Sequence, residues 1–187
     1  MIMKERKGRE KAGFFNIHLK DALFLGFCAV FILIFRAAFR LHLNITGHSM
    51  LFSIFFLLLA RGCISFRLAA SLTGLLAGCM AIILGLGKGG PLLLLRFVLP
   101  GLIIDMGAFC IPSMFRSYVL CALAGAVASS SKFLSTYIVD TMIGMEKSII
   151  FQHALIESGA AILFGIAGSF FIPPVIRRLK AYGVIDY

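Results

Sequence analysis

Residues 36–50 read R-A-A-F-R-L-H-L-N-I-T-G-H-S-M, between the apolar runs F-L-G-F-C-A-V-F-I-L-I-F (24–35) and L-F-S-I-F-F-L-L-L-A (51–60). Both runs are continuous rather than alternating, which is the pattern of buried or lipid-facing helix and not of a barrel strand. The chain therefore turns here, on a short polar hairpin between two apolar helices. The same alternation of apolar run and polar break continues to the C-terminus. It predicts an all-α polytopic membrane protein with six transmembrane helices, at about residues 21–39, 48–66, 68–86, 91–110, 117–139 and 148–176. A basic, interfacial N-terminal segment over 1–20 precedes this six-helix domain over 21–176. A short tail over 177–187 follows Pro173-Pro174, which should end the last helix.

Composition agrees. The 187 residues are 60% hydrophobic and 14% charged, with a mean hydropathy of +1.02. The net charge of +10 does not imply nucleic acid, because lysine and arginine in such a chain set topology and meet anionic lipid of the bilayer. The five cysteines lie scattered in apolar stretches without a C-x-x-C, so they read as small packing residues and not as a metal site or disulfide framework. The N-terminus, M-I-M-K-E-R-K-G-R-E-K, is too charged and too long to head a cleaved signal peptide.

The basic residues orient the helices. With the N-terminus inside, Lys4, Arg6, Lys7, Arg9, Lys11, Lys20, Arg61, Arg67, Arg116, Arg177, Arg178 and Lys180 are cytoplasmic, 12 of the 18, and both termini are cytoplasmic. The remaining six, Arg36, Arg40, Lys88, Arg96, Lys132 and Lys147, then fall on the outer half. His42, His48, Tyr137, Asp140, Glu146, His153 and Glu157 fall there too. Ionisable groups are costly in a bilayer, so a convergence of them from several helices predicts a polar ligand site.

Each candidate has a plainer reading beside it. Arg36 and Arg40 share a helix face and fit either a clamp for an anionic or carbonyl-rich group or an interfacial pair reaching for headgroups. His42, His48 and Met50 fit either metal or haem ligation or hydrogen bonding to a ligand, water or headgroups. With no His-x-His spacing and no cysteine or carboxylate nearby in sequence, ligation is the weaker reading, and His42, Asn44 and His48 are taken as hydrogen-bonding groups at the edge of the hairpin. Gly85–Pro91, G-L-G-K-G-G-P, lacks the G-K-[ST] ending of a phosphate loop and reads as a flexible loop that brings Lys88 near a ligand. Arg96 and Lys132 lie inside their helices, and His153 and Glu157 share a face of the last one. Asp105 reads as a buried carboxylate paired with a neighbouring helix, and Arg61 as a cytoplasmic residue remote from the site. Ala70, Gly74 and Gly78 line one face of the third helix and should let a neighbour approach closely. The serine run Ser129-Ser130-Ser131 has no G-x-S-x-G context, and no metal or nucleophile accompanies His153 and Glu157. No catalytic constellation results, and no enzyme activity or cofactor is expected.

The stretches L-H-L-N-I-T-G-H-S-M-L-F (41–52), L-L-L-A-R-G (57–62), L-T-G-L-L-A-G (72–78) and G-K-G-G-P-L-L-L-L-R-F-V-L-P-G-L-I-I-D (87–105) carry a resemblance. They resemble an uncharacterised branch of the substrate-binding S components of energy-coupling factor (ECF) transporters, over about residues 36–107. The resemblance implies six helices with both termini inside, and capture of a vitamin- or tetrapyrrole-like ligand, haem included, on the outer face. It also implies ATP-driven uptake by a transmembrane T subunit and two ATPase subunits, consistent with the absent phosphate loop. In that family, small residues at four-residue spacing on the first helix dock on the T subunit; Ala22 and Gly26 stand at that spacing, with Ala29 nearby, and with glycine where the family favours alanine. The competing readings are a membrane-embedded enzyme on a lipid or isoprenoid substrate, and a non-catalytic assembly subunit of a membrane complex.

Overall fold

The computed structural model describes residues 19–42, 48–64, 66–86, 90–111, 114–144 and 146–181. Among them every regular element is helical: α1 Leu19–His42, α2 His48–Cys63, α3 Ala69–Ile83, α4 Leu93–Cys110, α5 Tyr118–Ile143, α6 Lys147–Phe170 and α7 Ile172–Ala181, with single 3-10 turns at Gly90–Leu92 and Met114–Arg116. Four segments are long and apolar enough to cross a membrane: Leu19–Ala38, Gly90–Cys110, Tyr118–Ile143 and Ser148–Leu179. Only 28–44% of the residues in their most apolar windows are buried by the protein itself. Leu23, Phe27, Val119, Leu123, Ile156 and Leu163 all project outward. Apolar side chains that find no protein partner over so many turns fit a hydrocarbon surround.

Two apolar helices are shorter than the sequence predicts. α2 stops at Cys63 and α3 spans 15 residues. At about 1.5 Å per residue the latter is about 22 Å long, below the ~30 Å of a bilayer's hydrocarbon core. The last helix differs as well. It ends at Phe170, and Pro173 and Pro174 lie in the first turn of α7 instead of terminating α6. The prolines clash with the carbonyls of a preceding turn, so the break falls before them; their missing N–H groups cost nothing at a helix start. Residues 177–181, expected in the tail, continue α7. That helix buries Ile172 and Ile176 and exposes Arg177 and Arg178, an amphipathic layout suited to a membrane surface.

Small residues set the closest packing. Gly74 lies against the Phe97 carbonyl, Gly78 against Leu94, and Gly101 against the backbone of Ala70 and Ser71, so α3 and α4 approach as the spacing on the third helix predicts. The α5–α6 pair interlocks in the same way, Gly125 against Gly165 and Ser169, and Gly165 against Ser129. α5 ends at Gly144, whose left-handed φ of 84° lets its N–H reach the Thr141 and Asp140 carbonyls. The chain then reverses into α6. An aromatic column joins α1 to α2, with Phe35 stacked on Phe52 at 4.4 Å and Phe31 5.6 Å from Phe56. Cys28, Cys63 and Cys121 are buried as packing residues.

Candidate functional site

The α5–α6 hairpin presents polar groups at helical spacing. Lys132, Thr136 and Asp140 stand four apart on α5, and His153 and Glu157 four apart on α6, so each set shares a face and the two faces meet. Lys132 Nζ is 3.6 Å from Glu157 Oε2, and the Thr136 hydroxyl donates to the same oxygen at 3.2 Å. Glu157 Oε1 lies 3.9 Å from His153 Nε2, and His153 Nδ1 is 3.1 Å from Asp140 Oδ2. The result is a ladder, Lys132–Glu157–His153–Asp140. Lys132 and Asp140 are buried, while the His153 side chain is 48% exposed.

Two further helices bring cations to it. Arg36 of α1 places its guanidinium 4.7 Å from the centroid of the buried Phe97 ring of α4. It therefore stacks on an aromatic face within the helix assembly instead of reaching only for headgroups. Arg96 is the neighbour of Phe97 in sequence, and both arginines lie within electrostatic reach of Lys132. Arg96 Nε is buried and has no hydrogen-bond partner among the described residues. Among the described residues Lys132 has the Glu157 carboxylate within 4 Å, whereas Arg96 has none. A guanidinium without a carboxylate in a low-dielectric setting is electrostatically prepared for an anion.

Thus α1, α4, α5 and α6 bring together Arg36, Arg96, Lys132, His153 and Glu157 from the predicted set. Asn44 and Lys88 lie outside the described residues, as do the side chains of Arg40, His42 and His48. Thr136 and Asp140 complete the ladder and were not among the predicted ligand contacts; their four-residue register with Lys132 is the signal that marks them. Among the described residues no group of three or more His, Cys, Asp or Glu side chains gathers to hold a metal ion.

A second charged centre lies elsewhere. Asp105 of α4 accepts the N–H of Ala70 at 3.2 Å, the N–H of Ser71 at 2.8 Å and the Ser71 hydroxyl at 2.6 Å. It therefore caps the start of α3, where Leu68 provides no side-chain cap. Arg61 of α2 closes the centre, its Nε 3.3 Å from Asp105 Oδ1 and its Nη1 donating to the Ile64 carbonyl at 3.3 Å. The sequence reading expected Asp105 to be a buried carboxylate paired with a neighbouring helix, and the structure supplies the partner: Arg61, whose side chain is 14% exposed.

On α1, Ala22 and Gly26 line an apolar groove of about 410 Å³ against Leu76 and Met80 of α3, and nothing crowds the open side of Gly26. Ala29 does not share that face; it is fully buried in the core. Comparison with protein-family models, with curated proteins and with solved structures returned no match.

Proposed function

We propose that this chain is a membrane-embedded substrate-binding subunit of an ECF-type importer, which captures a small organic ligand bearing an acidic group. The supporting observation is the gathering of Arg36, Arg96, Lys132, His153 and Glu157 from four helices around one intramembrane cluster, in which Arg96 has no carboxylate within 4 Å among the described residues. A cluster of this cost is retained in hydrocarbon where it serves a ligand. In this reading α2 and α3 complete a six-span arrangement, their 16 and 15 residues fitting a locally thinned bilayer. Both termini face the cytoplasm and the cluster faces outward, in the cytoplasmic membrane of a bacterium. The ligand is a vitamin, haem or another tetrapyrrole. Two ATPase subunits and a T subunit drive its release inward, the T subunit docking on the face of Ala22 and Gly26. The chain itself carries out no chemistry.

Purification from native membranes in mild detergent tests the reading. A T subunit, two ATPases and a bound small molecule, seen by mass spectrometry and absorption, are the expected result. A chain that copurifies with neither ATPases nor ligand, or that turns over an isoprenoid or lipid, overturns it. Replacing Ala22 and Gly26 together by leucine should abolish uptake and leave ligand binding intact. Cysteine labels at residues 88 and 180, in a background without native cysteines, should react from opposite sides of the membrane.

A further inference from the structure

Lys132 and Arg96 lie within electrostatic reach of each other and have unequal partners. Lys132 is 8% exposed and has the Glu157 carboxylate 3.6 Å from its ammonium. Arg96 lies within electrostatic reach of that ammonium, yet its buried Nε meets no acceptor among the described residues. A buried guanidinium N–H without an acceptor is unfavourable, and the guanidinium's fork of donors matches a carboxylate or phosphate. Glu157 does not fill this role. One of its oxygens is taken by Thr136 and Lys132, and the other faces His153. Asp140 is held by His153 at 3.1 Å and stands eight residues from Lys132 along α5. The cationic end of the cluster therefore has one carboxylate for two neighbouring cations, and that carboxylate has a second partner in reach.

We propose that Glu157 is a built-in counter-anion: in the empty protein it neutralises Lys132, and an organic acid binds by seating its carboxylate or phosphate on Arg96 and taking Lys132 over from Glu157. The displaced Glu157 keeps its Thr136 hydrogen bond and shortens the 3.9 Å approach to His153. The exchange moves one side chain by a short distance and leaves Lys132 paired with the ligand's acid group, while Glu157 keeps the Thr136 hydroxyl. Glu157 is then a competitor of the ligand and not a contact to it. The inference rests on reading the cluster as a ligand site, and adds the ligand's charge class and the side chain that holds its place.

The test uses the full chain in dodecyl maltoside, with inorganic phosphate and citrate titrated at constant ionic strength. Thermal unfolding is followed with a thiol-reactive dye that reports the buried Cys28, Cys63 and Cys121, the exposed Cys110 being replaced by serine. Wild type should be stabilised by both anions, as mass action requires of a native-state ligand. Glu157→Gln should lower the half-saturating concentration at least about fivefold, and Arg96→Gln should abolish the stabilisation, the scale of one charge-assisted contact. Because Glu157→Gln leaves Lys132 without its carboxylate, the double variant Lys132→Met/Glu157→Gln provides a folded control. It should bind at least about tenfold more weakly than Glu157→Gln alone, by the same measure. An unchanged or raised half-saturation in Glu157→Gln overturns the proposal, as does an undiminished response in Arg96→Gln. Nanodiscs of phosphatidylcholine with and without phosphatidylglycerol separate the sources of the anion. Arg96-dependent stabilisation by phosphatidylglycerol alone would keep the exchange and sink the import reading. A copurified ligand without an acidic group, with no response to either anion, would do the reverse.

Discussion

Two charged centres sit in the same apolar bundle, and they are built on opposite plans. At Asp105 one carboxylate receives two backbone N–H groups, a hydroxyl and a guanidinium, drawn from α2 and α3. At Lys132 the partners are looser, at 3.6 and 3.9 Å. The buried Nε of Arg61 and of Arg96 each lacks a hydrogen bond among the described residues, but Arg61 has the Asp105 carboxylate at 3.3 Å whereas Arg96 has no carboxylate within 4 Å. The first arrangement is closed and stabilises the join of three helices. Burial alone does not separate the two centres; the presence of a carboxylate beside the guanidinium does.

The largest expected effect breaks the closed centre. Asp105→Ala strands the Ala70 and Ser71 N–H groups and leaves Arg61 as a buried, unpaired cation. Losing one partner of a buried pair costs about 3–5 kcal/mol, or a fall in melting temperature of about 10 °C. A fall under about 3 °C, within the range of a simple surface change, would mean that the centre does not hold the helices together.

A smaller effect tests the scaffold of the open centre, the tight α5–α6 packing that aligns the ladder. A methyl group at Gly165 meets the Ser129 side chain. Gly165→Ala should cost about 1–3 kcal/mol through overpacking, with most of it recovered in the double variant Gly165→Ala/Ser129→Gly. Additive losses in the double variant would show that the two positions do not meet.

The smallest effect on stability belongs to the open centre. His153 is half-exposed, so its pairing with Asp140 is screened. His153→Ala should cost under about 1 kcal/mol. A loss as large as that of Asp105→Ala would make the ladder a structural element.

The sequence made the helices readable because apolar runs longer than a soluble core allows have one solution in a bilayer. It also gave the close α3–α4 approach, since Ala70, Gly74 and Gly78 at four-residue spacing leave room for a second backbone. It misjudged the end of α6, because Pro173-Pro174 marks a break without saying on which side the new helix starts. The candidate site was half legible. Arg36, Arg96, Lys132, His153 and Glu157 stand out as charges in apolar surroundings. Which of them is paired depends on side-chain reach across helices, which spacing within one helix does not encode. For the same reason the partner of Asp105 was not legible, since Arg61 lies 44 residues away in α2.

The most direct test compares two arginines. Arg61→Gln and Arg96→Gln are each purified in detergent without added anion, and their thermal unfolding is measured side by side with the thiol-reactive dye. Arg61→Gln should lower the melting temperature by about 6–20 °C, the equivalent of a broken buried pair. Arg96→Gln should leave it unchanged or raise it, because the substitution removes a half-buried cation that has no carboxylate within 4 Å among the described residues, where Arg61 has Asp105. Equal destabilisation by the two substitutions would contradict the division into a closed structural centre and an open binding site.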